Sequence, residues 1–301
     1  MLSLHTNSSA LSAQNSISRT QSSLSTSQTR LSTGFRVNSA MDDAAGLQIA
    51  TRLKAQSSGM AMAMRNTQNS ISMLQTAEGA FDEVTNMLIR MKDLATQAAD
   101  ASSTAKDQAA LQSEFDALGS ELNNVMKNST FGGAKLMEGG TIAASMTFQI
   151  GATKSEQMTI DLSAAMTALT GTALTAVSAR YAAGGAAVGV EISDGTDGTA
   201  SASNAAGQTA ANTTIETIST AIDQVGGIRS SLGAAANRLD HIYNNLSNIS
   251  SNTKAATGRI MDTDFATESS NMTSSQMLLQ AGTAMLKQSN STSSLVMSLL
   301  Q

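Results

Sequence analysis

Apolar residues recur about every seven positions at both ends of the chain, with polar residues filling the gaps. Near the N-terminus the spaced positions are Leu4, Leu11, Ile17, Leu24 and Leu31. Near the C-terminus they are Phe265, Met272, Leu279 and Leu286, followed by Leu299 and Leu300. A step of seven residues returns to nearly the same side of an α-helix. The pattern therefore predicts one thin helix over 1–33 and another that begins at the capping residues 262–264.

Denser helical periodicity fills the segments inside these ends. A long helix is predicted over 44–99, a shorter heptad-patterned one over 104–128, and a second long one over 210–257. The two long helices would each span about 70–85 Å at about 1.5 Å per residue. Because their lengths match, we expect them to pack side by side in antiparallel orientation.

Between 140 and 205 the apolar pattern changes to alternation, which is typical of β-strands. One alternating run ends at Ile150 and the next begins at Met158, so a β-hairpin is predicted there. A third alternating run consists of Val188, Val190 and Ile192. A glycine-containing turn over 194–198 follows, and the surrounding sequence is rich in Ala, Gly, Ser and Thr. The segment 166–207 is therefore predicted to be a short, variable, β-rich insert at the surface.

Together these elements predict a mainly α fold. It is a long antiparallel helical bundle or coiled coil with a small β-hairpin region and the short variable insert. Five parts are expected: an N-terminal coiled-coil arm, the N-terminal part of a helical core, the insert, the C-terminal part of the core, and a C-terminal coiled-coil arm. They cover residues 1–43, 44–165, 166–207, 208–260 and 261–301.

Composition narrows the classes of function. The 301 residues include no Pro and no Cys, only 14% are charged, and the formal net charge is −5. The absence of Pro suits long helices, and the absence of Cys excludes disulfides and thiolate metal sites. A net acidic chain is a poor binder of nucleic acid, and no apolar run is long enough for membrane insertion. The first twenty residues lack the features of a cleaved signal peptide.

No motif for catalysis, a cofactor or a metal occurs. The histidines His5 and His241 lack zinc-protease spacing, and no nucleotide-binding or serine-nucleophile pattern is present. His241 beside Asp240 is interpreted as a solvated helix face, and the aspartates at 194–198 as part of a turn rather than a calcium loop. The sequence predicts a protein that is not an enzyme and that uses no cofactor.

The thin terminal helices carry few apolar side chains for their length. Burial of those side chains in a single chain would not offset the conformational entropy lost when both segments become ordered. We therefore expect both ends to become stable only when the seams of many copies pack together.

Several motifs, in order along the chain, resemble those of bacterial flagellins. The longest covers residues 30–47, RLSTGFRVNSAMDDAAGL, and is similar to the N-terminal signature of that family. Similar matches are the loop 131–136, the segment 262–272, the run 280–286 and the closing residues 299–301. A departure is Met41, where the family usually has Lys.

The resemblance implies a structural subunit that polymerises into the extracellular flagellar filament. It also implies export through the flagellar type III channel, unfolded and without a cleaved signal. The implied partners are other copies of the chain, hook-associated junction and cap proteins, and an export chaperone that masks the last helix. The two chain ends would pair into a coiled coil that lines the central channel.

The segment 88–97 resembles the part of flagellins that a host Toll-like receptor binds. This resemblance implies receptor contacts at Arg90, Leu94 and, on the next helix, Glu114, although the same segment forms a subunit interface in the family. Three other functions stay open: a hook–filament junction protein of the same superfamily, an enzyme displayed on flagellin-like ends, and a cytosolic coiled-coil scaffold.

Overall fold

The computed structural model describes residues 7–182, 184, 189–193 and 204–299, with side chains described as far as residue 291. The chain divides into two compact units. The first takes Met1–Ser58 and Ile249–Gln301, and the second takes Gly59–Asn248. The described helices are α1 (Ser8–Thr33), α2 (Ala44–Ala98), α3 (Ala105–Asn128), α4 (Ser163–Ala168), α5 (Leu174–Val177), α6 (Ala179–Ala182), α7 (Asn204–Met261) and α8 (Phe265–Leu299). The strands are β1 (Thr130–Phe131), β2 (Ala134–Lys135), β3 (Ser145–Gln149) and β4 (Gln157–Asp161). This mainly α fold confirms the predicted fold class.

The two predicted terminal helices are present, and side chains cap both. Helix α1 follows Asn7, whose side-chain oxygen accepts a hydrogen bond from the Ala10 amide at 3.1 Å. It ends at Gly34, which has a left-handed backbone (φ 76°) that is typical of a helix C-terminus. Helix α8 begins after Asp264, whose carboxylate accepts a hydrogen bond from the Ala266 amide at 3.0 Å. The capping residues predicted for the last helix are thereby confirmed.

In the second unit, α2 and α7 pack in antiparallel orientation, as predicted. Met60 and Leu246 belong to one buried cluster. Farther along α2, Asp82 lies 3.0 Å from Arg229, which comes earlier than Leu246 on α7. Helix α7 extends several residues beyond the predicted range at both ends.

The core of the second unit joins the long helices to the predicted β-hairpin. Strands β3 and β4 pair in antiparallel register, with Phe148 opposite Met158. Met158 is buried in the same cluster as Phe81 of α2, Phe115 of α3 and Ile218 of α7. The alternation that predicted this hairpin is thus the alternation between core and surface.

The prediction of a β-rich insert over 166–207 is wrong for the residues that the structure describes. Residues 163–182 form helices α4, α5 and α6 with one π-helical turn, Leu169–Ala173. The buried apolar side chains there are Met166, Leu169, Ala173, Leu174, Val177 and Tyr181. Apart from the adjacent pair Ala173 and Leu174, they recur at steps of three and four residues, which are helical, and Ala has the highest helix propensity.

The third predicted strand is also absent among residues 189–193. The Ile192 amide donates to Gln112 Oε1 of α3 at 2.8 Å, and the Gly189 amide donates to Asp116 Oδ2 at 3.3 Å. These backbone groups therefore bond to side chains of a helix instead of a neighbouring strand. Val188 and the predicted turn over 194–198 lie outside the described residues.

A second, very short hairpin was missed by the sequence pattern. Strands β1 and β2 pair through Phe131 and Ala134, and the turn between them contains Gly132 (φ 59°) and Gly133 (φ 86°). Two consecutive left-handed residues favour this tight turn, which glycine adopts without strain.

Candidate assembly surface

The two ends of the chain pair with each other in the first unit. Near the start of α1, Asn7 Nδ2 donates a hydrogen bond to the Ser289 carbonyl at 3.2 Å. In the middle, Ile17 lies so close to Gly282 that a Cβ on this glycine would be 2.9 Å from Ile17 Cγ1. Near the end of α1, Arg30 lies 3.7 Å from Glu268. Helices α1 and α8 are therefore antiparallel partners.

The contact between them is a heptad seam, which we call the inner seam. Its partly or fully buried members recur at steps of three and four residues on both helices. On α1 they are Ala10, Ala13, Ile17, Thr20, Leu24, Ser27 and Leu31. On α8 they are Glu268, Met272, Ser275, Leu279, Gly282, Leu286 and Ser289. Large apolar residues alternate with small or polar ones, so the seam is narrow.

The structure brings six of the predicted seam residues into the inner seam: Ile17, Leu24, Leu31, Met272, Leu279 and Leu286. Leu11 was predicted to share it, but its side chain is exposed. The six-residue step from Leu11 to Ile17 turns a helix about 120° short of two full turns, whereas seven residues fall only about 20° short. Leu11 therefore lies on another face of α1.

Phe265 is a second predicted seam residue that the structure leaves exposed. It is the first residue of α8 and precedes Glu268, which already pairs with the last turn of α1. No further turn of α1 is available to cover it, because α1 ends at Thr33. Leu4 and the side chain of Leu299, the remaining predicted seam residues, lie outside the described part of the chain.

Both helices also carry large apolar side chains that face away from the inner seam. These outer apolar residues are 56–67% exposed and comprise Leu11, Phe265, Met277, Leu278 and Met285. Leu278 and Met285 are seven residues apart and so share one face of α8. An exposed apolar face of this kind marks a surface that another molecule covers.

Hydrogen bonds join the connection that follows α1 to the connection that precedes α8. Phe35 forms an antiparallel bridge with Asp262, and the Thr263 amide donates to the Gly34 carbonyl at 3.0 Å. The Arg36 guanidinium donates to the Ile260 carbonyl at 2.9 Å. The connection after α1 and the connection before α8 are therefore fixed to one another.

An Asp-centred turn shapes the connection between α1 and α2. The Asp42 carboxylate accepts hydrogen bonds from the Ser39 amide at 2.8 Å, the Ser39 hydroxyl at 3.0 Å and the Asn38 amide at 3.1 Å. These bonds favour the ionised form and lower the pKa of Asp42 below its ordinary value. The turn is thus most stable when this carboxyl is charged.

The three residues suggested as receptor contacts have different environments. Arg90 of α2 donates from Nε (2.9 Å) and Nη2 (2.6 Å) to the same carboxylate oxygen of Glu114 on α3, and both side chains are exposed. Leu94 is only 1% exposed and belongs to the core of the second unit. The resemblance implies a receptor contact at Leu94, but the position of this residue on α2 directs its side chain into the core.

Within the described ranges, no group of three or more His, Asp or Glu residues is arranged to hold a metal ion. No described helix combines the length and the hydropathy that crossing a membrane requires.

Two family models match the chain. The model of the bacterial flagellin N-terminal helical region matches residues 4–141, and that of the C-terminal helical region matches residues 215–300. The chain belongs to the bacterial flagellin family. Full-length similarity supports this: Flagellin A of Vibrio anguillarum and Flagellin A of Vibrio cholerae serotype O1 are each 35% identical over 381 residues, with 100% of both chains covered.

A solved structure assigned to a flagellar hook-associated protein of Vibrio parahaemolyticus shares the fold of this flagellin. Its TM-score is 0.56 at 16% identity, and the match covers 73% of this chain and 100% of that chain. The two family matches include all of α1 and α8, the helices that form the inner seam of this flagellin. The insert over 166–207 lies between the matched regions.

Proposed function

We infer that this flagellin is a structural, non-enzymatic subunit that polymerises into the extracellular filament of the bacterial flagellum. The observation that carries the inference is that its paired chain ends leave the outer apolar residues uncovered in the single chain. A filament covers such residues by placing copies of the same arms side by side.

The energetics favour this use of the arms. Each fully buried large apolar side chain contributes about 1.5–3 kcal/mol, and the described part of one chain offers five outer apolar residues. Because these residues lie on different faces of α1 and α8, one copy can contact several neighbours through unlike surfaces. Contacts between unlike surfaces generate open helical polymers rather than closed pairs.

The hook–filament junction protein is not favoured. Family models and full-length relatives are flagellins, whereas the likeness to the hook-associated protein extends only to the fold. We retain hook-associated proteins as partners, since a filament of this family must join the hook and carry a cap.

We propose the following distribution of the chain in the filament. The arms, residues 1–43 and 261–301, line the central channel. Residues 44–165 and 208–260 form the surrounding helical layer, and the insert over 166–207 faces outward. Support comes from the narrow inner seam of the arms and from their exposed outer apolar residues, which gain cover from the contacts of a crowded centre.

We also propose that the chain leaves the cell unfolded through a type III channel without cleavage of a signal. The lack of Pro and Cys suits rapid folding after passage through a narrow tube. N-terminal sequencing of protein from the culture medium should find the chain intact from its first residues, and a shortened start would contradict the proposal.

An export chaperone is proposed to cover α8 before export. Leu278 and Met285 would otherwise be an exposed apolar surface in the cytosol. The chaperone should bind the full chain and lose binding to a chain that ends at Gly258. Equal binding by both would place the chaperone site elsewhere.

Recognition by a host Toll-like receptor is proposed through the exposed ion pair of Arg90 and Glu114. Leu94 is left out of the contact because its side chain is buried. The ion pair is already formed in the single chain, so both side chains are preorganised before a receptor binds them.

Assembly of the purified full chain tests the main conclusion. Seeded with short filament fragments, it should form micrometre-long filaments in electron micrographs, whereas a chain reduced to residues 44–258 should stay soluble. Short rings in place of long filaments would support the junction protein instead. Continued solubility of the full chain with seeds would contradict a filament subunit.

A further inference from the structure

The methionines of this flagellin differ sharply in their access to solvent. Among the described side chains, those of Met60, Met87, Met91, Met126, Met137, Met146, Met158 and Met166 are buried. Four are strongly exposed: Met41, Met62, Met277 and Met285. Two of these four, Met277 and Met285, belong to the outer apolar residues of α8.

Peroxide oxidises methionine to its sulfoxide at a rate that follows exposure. The thioether sulfur attacks one oxygen of hydrogen peroxide, and the O–O bond breaks. The released hydroxide then takes the proton from the oxygen that is now bonded to sulfur, which gives water and the sulfoxide. The sulfur loses two electrons and the peroxide gains two. The product carries a strongly polar S–O group where the side chain was apolar.

The position of Met285 determines what this change does. Met285 shares a face of α8 with Leu278, one heptad step away, and both are exposed in the single chain. Met277 is next to Leu278 in the sequence but lies about 100° around the helix, so it adds an apolar side chain on another outer face. A sulfoxide at either place puts an unpaired polar oxygen into a contact made of apolar side chains, which is costly.

We propose that Met277 and Met285 are oxidation-sensitive sites of the free subunit, and that their sulfoxides exclude the subunit from the growing filament. This inference rests on the proposed function. Once a subunit is assembled, the same contacts cover both sulfurs and protect them. Since reductases reverse sulfoxide formation, an excluded subunit can regain the ability to assemble.

The buried methionines explain why the effect is confined to the surface. Peroxide that reaches only exposed sulfurs leaves the core of the second unit unchanged, so the oxidised subunit keeps its fold. Met62 is an internal control, because its side chain is also exposed but lies outside both arms.

The test uses the full unmodified chain. Monomer is treated with enough hydrogen peroxide to oxidise about half of the exposed methionines, freed of peroxide, and mixed with filament seeds. Filaments are separated from soluble protein by sedimentation. Peptide mass spectrometry then measures, at each methionine, the fraction that has gained one oxygen atom in the pellet and in the supernatant.

We expect sulfoxide at Met277 and Met285 to be depleted about tenfold in the pellet, as a moderate cost of burying the polar group implies. Sulfoxide at Met62 should divide equally between the fractions. Treatment of the supernatant with the reductases for both epimers of methionine sulfoxide should restore assembly. Equal distribution of sulfoxide at Met62, Met277 and Met285 would overturn the inference while leaving the filament function intact. Failure of the untreated chain to assemble on seeds would overturn both.

Discussion

Arg30 and Glu268 face each other across the inner seam, with Nη1 and Oε2 3.7 Å apart, although 30% and 12% of their side chains remain exposed. Glu268 is the charged member of the inner seam on α8, where the equivalent heptad positions carry Ser275, Gly282 and Ser289, and a charge there specifies which turn of α1 it faces. The pair therefore fixes the register of two helices whose seam has few large side chains.

Replacement of Glu268 by Gln should loosen the arms without unfolding the second unit. We expect a loss of about 1 kcal/mol in arm pairing, because the pair is only partly screened by solvent. The measurement is amide exchange in α1 together with the monomer concentration at which seeded assembly begins. Glu78→Gln is the matched control, since Glu78 pairs with Arg229 at 3.6 Å on an exposed surface. Equal effects of both changes would contradict a role in register.

A charge on the outer face of α8 should block assembly. Leu278→Lys is expected to raise the critical concentration for seeded growth at least about tenfold, since the ammonium group would lose its water in an apolar contact. Circular dichroism should show an unchanged melting transition for the second unit. Gln280→Lys is the control: it lies seven residues before Lys287, on a face that already carries a positive charge. Normal assembly of the Leu278 variant would show that this face is free in the filament.

Gly119 should be essential to the packing of the insert on α3. A Cβ at this position would overlap Ser178 Oγ and lie 3.2 Å from Arg180 Cβ. Gly119→Ala is expected to reduce the free energy of unfolding by about 1–3 kcal/mol. Gly79→Ala is the control, because nothing lies within 4 Å of its added Cβ, and it should stabilise α2 by about 0.5–1 kcal/mol. Urea denaturation of the monomer measures both free energies of unfolding. A Gly119→Ala variant with an unchanged free energy of unfolding would contradict the close packing of Ser178 and Arg180 on Gly119.

Removal of either member of the Arg90–Glu114 pair should weaken Toll-like receptor signalling by the monomer. Arg90→Ala and Glu114→Ala each remove one charge and leave the other without its ion-pair partner. We therefore expect the receptor signal in a cell reporter assay to decrease about tenfold or more. Arg229→Ala, which breaks a different surface ion pair of the second unit, should leave signalling unchanged. Signalling that does not change in the Arg90 and Glu114 variants would reject receptor recognition at this pair.

Acidification should weaken the turn around Asp42. The folded state lowers the pKa of this carboxyl, so its contribution to stability is present above the ordinary pKa of about 4 and disappears as the pH falls through the lower folded value. The amide proton shift of Ser39, which bonds directly to Asp42, should titrate with a midpoint below 3.8. Asp42→Asn should abolish that titration. A midpoint at or above the ordinary value would contradict the proposed cause.

Local sequence patterns predicted most of the fold, because the helices of this chain are recognisable from the spacing of their apolar residues and from their capping residues. The predicted bounds agree with the observed helices to within about a residue: 44–99 for α2, 104–128 for α3, and capping residues 262–264 before α8. The spacing of large apolar residues does not identify the small members of the inner seam, such as Gly282 and Ser275. Their role depends on what lies opposite them, as Ile17 does for Gly282.

The errors have a common physical origin in tertiary contacts. The resemblance implies a receptor contact at Leu94, but the core of α2, α3 and α7 covers its side chain. The alternation around Ile192 resembled a strand, yet Gln112 supplies the partner for its backbone. Neither contact follows from spacing along the chain.

The hydrogen bond between Asn7 and Ser289 joins positions 282 residues apart. A ribosome that stops early therefore releases a product whose first helix has no companion, however well its middle portion folds. Only a chain that has been synthesised to its end can pair its two arms and enter the polymer. Assembly itself therefore excludes truncated chains, and no separate quality-control factor is needed.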